Sequence, residues 1–410
     1  MSIHSLAALT FMLAALALSL VLFRDLADIS QWVLRTSRKK TMRTFYNRHP
    51  MILALGILWG CGLAAASVGG FDRITVIAIV GASVLILIFL FMGYVNPKLM
   101  MRSQQSGARY FDISQATPHI DDETSLIVVE TARGAFGHPD RHVLRPHVAG
   151  IPGDPDGTVL TYCGLTNMGI AYVPEIGGAP VELEAVTQLE NNLVMWDKST
   201  GEPVQQFWGT RERDGKNGPR MPEVATYRMP FRAFRKRFPQ GQVFLNLFPS
   251  FLRNPFLAVF DRITHWVFAH AVDEQASKEK PTFPTIERFD SRLPNKQKIF
   301  GANVGDTYFA VTKQHVRDHD DRLDLDIGGT IIHVVYHLDD ESLGMYIGSR
   351  ETVGVDIAFG GRVDGRILPR LSTMKSEAFW VVWQNFYPET VVNPVGKIEL
   401  GTCEGKRGAA

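Results

Sequence analysis

The stretch Thr158–Tyr172 reads TVLTYCGLTNMGIAY. Strand-forming residues enter it at Val159, Leu160, Thr161 and Tyr162, Gly164 interrupts them, and a second apolar run leaves through Met168, Ile170, Ala171 and Tyr172. That order predicts a strand, a tight turn and a returning strand, with Cys163 at the corner. Two readings of Cys163 stand side by side: a small buried hydrophobe, as most unpaired cysteines are, or a ligand or reactive thiol.

The same grammar recurs from Tyr110 onward. Short β-branched runs separated by Gly, Pro, Asp and Asn occur at Ser125–Glu130, Asn192–Asp197, Gln242–Asn246, Thr307–Thr312, Thr330–His337 and Gly344–Ile347. This is the spacing of a mostly antiparallel sheet domain. Helices are predicted at Phe231–Phe238, Pro255–His270 and Ser376–Phe386. The second is dense in Phe256, Leu257, Val259, Phe260, Ile263, Trp266, Val267 and Phe268, and is expected to pack into the core; its polar face lacks the basic residues of a membrane-surface helix. DEQASKEKPTFP (Asp273–Pro284) reads as an exposed linker between two halves, 110–272 and 285–395, ahead of a flexible tail at 396–410. The halves look like weakly related copies. Phe231, Phe234 and Phe238 before Pro239 and Val243 echo Trp380, Trp383 and Tyr387 before Pro388 and Val392, and Thr330–His337 echoes Thr158–Cys163.

Before Asn96 the composition changes. Leu6–Phe23, Met51–Val68 and Ile74–Val95 are apolar runs long enough to span a bilayer, so residues 1–97 are read as a three-helix transmembrane anchor. The fold class is therefore N-terminal transmembrane α-helices plus a mostly β (α+β) soluble domain built from two related halves. Arg35, Arg38, Lys39, Lys40, Arg43 and Arg48 crowd the first connection, whereas Gly69–Arg73 is the whole of the second. The positive-inside bias puts the first connection, and the domain two crossings later, in the cytoplasm; the periplasm is the alternative. The reading is an integral protein of a bacterial inner membrane, with the lipid bilayer as its partner. No charged residue interrupts a span, which favours a tether over an ion path. Gly56 and Gly60 form a G-x-x-x-G spacing, expected to serve packing within the anchor, with a homodimer or a membrane-protein partner as the alternative. A net charge of +1 on a chain that is 21% charged gives no footprint for nucleic acid. No disulfide is expected between Cys163 and the tail residue Cys403.

Several segments taken together resemble a known family. TYCGLTNMGIAY (Thr161–Tyr172), NNLVMWDKSTGEPVQQ (Asn191–Gln206), FRKRFPQGQVF (Phe234–Phe244), DSRLPNKQKIFG (Asp290–Gly301) and AFWVVWQNFYPETVV (Ala378–Val392) are similar, in order, to the prokaryotic domain-of-unknown-function family 3179. The family motif is T-Y-C-P-L-C-G-T, preceded by W-H-E. Cys163 matches its first cysteine and His147 falls where the histidine would, but Thr166 stands at the second cysteine. The resemblance implies no assigned activity. A thiol three residues from a threonine forms neither a redox disulfide nor half a zinc site, which disfavours C-x-x-C chemistry.

Among other candidates, His138, His142 and His147 precede Cys163, Asn167 and Met168, a soft set of the kind copper prefers, while Cys with His suits zinc; the bland reading is exposed or capping histidines. Cys163, His147 and Met168 are the metal candidates. Cys163 and His147, with the amides Asn191, Asn192 and Gln206, are the ligand-binding candidates. His333 and His337 would share a strand face. Asp318, Asp320, Asp321, Asp324 and Asp326 read as a solvated loop, since the calcium-loop glycine and glutamate are missing. G-x-S-x-G, phosphate-loop, dinucleotide and H-E-x-x-H motifs are absent from the sequence. The expectation is a ligand- or metal-binding or interaction module centred on the Cys163 corner. Its alternative is an enzyme or redox protein in which Cys163 and His147, brought together across Gly150–Gly157, act as nucleophile and base or as metal ligands.

Overall fold

The computed structural model describes residues 2–27, 30–31, 34–69, 73–95, 103–286 and 288–398. It begins with α1 (Ile3–Leu26), α2 (Arg38–Tyr46), α3 (Arg48–Gly69) and α4 (Arg73–Leu90), the last prolonged by a π turn at Phe91–Val95. Three of these, Ile3–Leu26, Arg48–Gly69 and Arg73–Tyr94, are long and apolar enough to cross a membrane. At about 1.5 Å per residue each exceeds a hydrocarbon core of about 30 Å. Along α1, Ser5, Ala8, Met12, Ala15, Ser19 and Leu22 are buried at three- and four-residue spacing, the stripe that receives α3 and α4. Leu13, Leu53 and Ile77 are 65, 67 and 71% exposed, so the outer face is apolar too.

The helices alternate in direction. A Cβ on Gly69 would lie 2.8 Å from His4 Cβ, and one on Gly93 would lie 2.9 Å from the Leu22 carbonyl oxygen. The end of α3 thus meets the start of α1, and the end of α4 meets the end of α1. Consequently α2 and the chain leaving α4 lie at the same end of the bundle. The G-x-x-x-G expectation fails in its detail: a Cβ at Gly56 or Gly60 would meet nothing within 4 Å, whereas one at Gly62 would lie 2.8 Å from Met12 Sδ. Close approach within the anchor is made at Gly62, on the opposite side of α3 from the predicted Gly56–Gly60 face.

From Ser125 the chain runs β1 (Ser125–Thr131), β2 (Gly134–Pro139), β3 (Val148–Gly150), β4 (Val159–Cys163), β5 (Met168–Tyr172), an inserted hairpin of β6 (Leu183–Leu189) and β7 (Asn192–Asp197), then β8 (Thr226–Pro230), α5 (Phe231–Arg237) and β9 (Gln242–Phe244). After α6 (Pro255–Ser277) comes a second pass: β10 (Lys298–Val304), β11 (Thr307–Thr312), β12 (Arg322–Ile327), β13 (Thr330–His337), β14 (Ser342–Gly348), β15 (Lys375–Phe379), α7 (Trp380–Phe386) and β16 (Val391–Val392). One plan is used twice. β1 and β2 form a hairpin, β8 lies antiparallel on β1, and β9 returns parallel to β2. β10, β11, β15 and β16 repeat each of those relations, and the antiparallel set β3–β4–β5 recurs as β12–β13–β14. Helices α5 and α7 begin after residues with φ −69° and end on Phe238 (φ −127°, ψ 71°) and Tyr387 (φ −132°, ψ 69°). A proline follows each, and the residue before a proline is driven from helical to extended backbone.

The two passes share their cores. One cluster joins Val159, Cys163, Met168 and Ile170 of the first to Ile299, Trp380 and Trp383 of the second. Another joins Val128, Phe231 and Phe234 to Leu325, Val334 and Met345.

Four expectations are corrected. The predicted Asp273–Pro284 linker begins inside α6, whose Gln275 is fully buried, and Phe283 is 4% exposed. Most of the apolar face of that helix points outward rather than into the core: Phe256, Val259, Ile263 and Trp266 are exposed, Phe268 alone of its aromatic residues packs against the core clusters among the described residues, and Ala258, Asp261, Thr264, Ala271 and Gln275 are buried. The expected loop over Asp318–Asp326 holds β12, which alternates buried Leu323, Leu325 and Ile327 with half-buried polar residues. The expected tail at 396–410 also starts with a strand, Gly396–Ile398, parallel to β12; Cys403 lies outside the described residues.

Candidate functional site

The hairpin around Cys163 forms as its residues dictate. Cys163 opposes Met168 in the β4–β5 register, and Asn167, with φ 60°, closes the turn by donating its backbone N–H to the Gly164 carbonyl at 3.1 Å. Gly164 serves close approach: a Cβ there would sit 2.3 Å from Val272 Cγ2 on α6. Both faces of β4 are covered, Val159 and Cys163 by one cluster and Leu160 and Tyr162 by another.

Four predicted site residues, Cys163, Asn191, Asn192 and Gln206, come together with Thr166 in one sealed network. Each is fully buried. The Cys163 thiol donates to Gln188 Oε1 at 3.2 Å and lies 3.7 Å from the Asn191 carbonyl, to which the Thr166 hydroxyl donates at 2.8 Å. The two positions of the C-x-x-T pattern therefore converge on one carbonyl. Asn192 Nδ2 donates to Thr166 Oγ1 and to Gln206 Oε1, both at 3.0 Å, and Gln206 Nε2 donates to Thr161 Oγ1 at 3.1 Å. Glu190 and Asn191 have φ 55° and 57° between paired Leu189 and Asn192, a type I′ turn that asparagine tolerates. The Asn191 side chain then pairs both ways with the Phe283 backbone, at 2.8 and 3.1 Å. Burial pushes the Cys163 thiol up from its ordinary value, against the opposing pull of Thr166. The buried thiol donates its proton to an amide, whereas attack and metal ligation both need thiolate.

His147 does not join this network. It sits in left-handed backbone (φ 65°), and its carbonyl accepts the Tyr162 N–H at 2.7 Å. It thus opposes Tyr162, while Val148, opposite Thr161, shares the Cys163 face. Its ring packs on Phe268, 5.4 Å between centroids, and neither ring nitrogen has a hydrogen-bond partner among the described residues. The expected Cys163–His147 pair is not formed, since a one-residue offset sends the two side chains to opposite faces. His138 is engaged elsewhere. Its Nδ1 donates to the Ile127 carbonyl at 3.0 Å, leaving Nε2 to accept from the Tyr110 hydroxyl at 2.8 Å. Among the described residues, no group of three His, Cys, Asp or Glu is arranged to hold a metal ion.

These two histidines make the fold acid-sensitive. Burial lowers the His138 pKa to about 4 and the His147 pKa to about 3, with Arg145 adding to the latter. The unfolded chain takes up protons near pH 6.5 and the native chain resists, so stability is complete above pH 6.5 and declines as pH falls toward 4. The slope is up to about 1.4 kcal/mol per pH unit for each histidine. Thermal midpoints measured from pH 7.5 to 4.5 should fall accordingly, and His147→Asn, which tolerates the left-handed backbone, should flatten the curve.

On the second pass, Thr352 Oγ1, His333 Nε2, His333 Nδ1 and Asp324 Oδ1 line up, with contacts of 2.7 and 2.6 Å. The order resembles a nucleophile–base–acid relay, but the Thr352 hydroxyl already donates to the Ser349 carbonyl at 2.8 Å and accepts the Ser349 N–H at 3.0 Å. It closes a turn.

The anchor–domain junction has no counterpart among the sequence motifs. Gln31 Nε2 donates to the Gln188 carbonyl at 2.6 Å, so the connection after α1 reaches the residue that receives the Cys163 thiol. The Arg38 guanidinium lies 4.5 Å from the centroid of the Trp208 ring and 5.3 Å from that of Phe386, with Glu190 at 3.5 Å and Glu212 at 3.7 Å. Phe45 meets Trp196 edge-on, and Tyr46 donates to Glu202 at 3.2 Å. Cation–π contact explains the choice of arginine at 38, because a guanidinium stacks where an ammonium does not.

Fold and site define a β-rich domain of two related passes behind three membrane-length helices, with Cys163 buried in a network of amide and hydroxyl side chains. The chain belongs to the family described as protein of unknown function, DUF3179, whose model matches residues 106–390. No curated protein and no solved structure matches the chain.

Proposed function

We propose that this is a membrane-anchored interaction module that holds its β domain at the bilayer, and that Cys163 serves its fold rather than chemistry. The junction carries the reading. Gln31, Arg38, Phe45 and Tyr46, all from the connection between two membrane-length helices, pack along the β6–β7 hairpin: Gln31 and Arg38 at its turn, where Asn385 of the second pass also donates to Glu190 at 3.1 Å, and Phe45 and Tyr46 at its far end, on Trp196 and Glu202. A flexible tether would need none of these contacts. The charge bias of the first connection further supports a cytoplasmic domain in a bacterial inner membrane, although Arg38 is also explained by packing.

Two measurements test this together. Alkaline carbonate washing of membranes should leave the full chain in the pellet, and a reporter fused after Pro97 should be active only in its cytoplasmic form. Extraction into the wash would overturn the anchoring, and activity of a periplasmic reporter would reverse the sidedness.

A further inference from the structure

We infer that the outward face of α6, with the segment before it, lies in the headgroup region of the bilayer that holds the anchor. The helix is built inside out for a soluble domain. Phe256 is 80% exposed, Val259 44%, Ile263 57% and Trp266 66%, at spacings of three, four and three residues that form one stripe. The inward side carries small or polar residues, Ala258, Asp261, Thr264 and Gln275. The preceding Phe251 and Leu252 are 58 and 95% exposed, extending the same apolar surface.

Charge and tethering select a lipid surface as the occupant. From Leu247 to Val272 the sole acidic residue is Asp261, which is buried against Arg145 at 2.8 Å, while Arg253, Arg262, His265 and His270 flank the stripe, correcting the expectation that basic residues are lacking there. A patch with no exposed carboxylate suits an anionic leaflet, and a tryptophan among aliphatic and phenylalanine side chains is the usual composition at a headgroup boundary. Val95, the last residue of the anchor's final helix, and Ser103 are eight residues apart in the chain. Eight peptide steps reach at most about 28 Å. Gln104 is bonded to the β3 edge, accepting from Gly150 and donating to Val148, and the neighbouring His147 ring rests on Phe268 of α6. The apolar face is therefore held within reach of the membrane boundary, where a tethered contact needs little intrinsic affinity.

This inference rests on the anchoring proposed above, and one experiment separates them. Nitroxide labels are placed at Phe256→Cys and Ile263→Cys in the full chain, with Cys61→Ala and Cys403→Ala, in vesicles of equimolar phosphatidylcholine and phosphatidylglycerol. Leu53→Cys reports the anchor and Lys280→Cys reports water. Labels at 256 and 263 are expected to collide with oxygen more than with an aqueous nickel chelate, as at 53 and opposite to 280. If 53 is lipid-exposed while 256 and 263 behave like 280, the inference fails and the anchor stands; if 53 is also aqueous, the anchoring itself fails. Spin–spin broadening at 256 or 263, with exclusion of both relaxants, would assign the face to a second copy and overturn the inference.

Discussion

Lys375→Ala is expected to destabilise the domain by about 3–5 kcal/mol, the usual cost of removing one partner of a buried ion pair. Lys375, on β15, is 1% exposed; its ammonium lies 2.8 Å from Glu223 of the first pass and 3.1 Å from the Thr373 carbonyl. Truncation leaves the Glu223 carboxylate buried between the two passes without a countercharge. Lys375→Met with Glu223→Leu should recover most of the loss, since apolar side chains of similar volume satisfy such a site nearly as well. Urea unfolding of the two single variants and the double variant forms a cycle, and a large favourable coupling is the expected result. Single variants within about 1 kcal/mol of the parent would mean the passes are not joined through this pair.

Asn192→Ala should cost about 2–4 kcal/mol, combining an orphaned buried acceptor with a small cavity. Its Nδ2 bridges Thr166 and Gln206, whereas its Oδ1 has no partner among the described residues. The donors therefore carry the residue's role. Asn192→Asp, which keeps the shape but replaces the donors with a carboxylate facing Gln206 Oε1, should be at least as damaging. A neutral Asn192→Asp, measured by thermal midpoint, would show that the network is wetter or looser than described.

Much of this fold was legible in the sequence, for identifiable reasons. The Thr158–Tyr172 hairpin is readable because Gly164 interrupts two strand-like runs, and the repeat because each half carries an aromatic helical face stopped by a proline, Pro239 and Pro388. Asn191, Asn192 and Gln206 were flagged with Cys163, and they share one network with it. What failed was direction. The stripe on α6 was visible as a period, but a period does not say whether the apolar side faces a core or a bilayer. The partner of Cys163 is not visible in the sequence because Gln188 lies on β6, whose LEAVTQL sets Val186 and Thr187 among Glu184, Ala185 and Gln188, which do not favour strands. His147 was assigned to the wrong face because the register that sends it away depends on its left-handed backbone, which its residue type does not announce. Thr166 was read as a lost cysteine, yet its hydroxyl makes two hydrogen bonds in the network.

The most direct test of the central claim is the reactivity of the Cys163 thiol in the folded full chain at pH 7, followed residue by residue with a small maleimide and mass spectrometry. A sealed structural thiol should react only as fast as the domain unfolds, with a rate that rises with urea and accelerates toward alkaline pH only once the chain has opened. Rapid modification of the native protein at neutral pH, undiminished below it and blocked by added zinc or copper, would contradict the account and return Cys163 to the role of nucleophile or ligand.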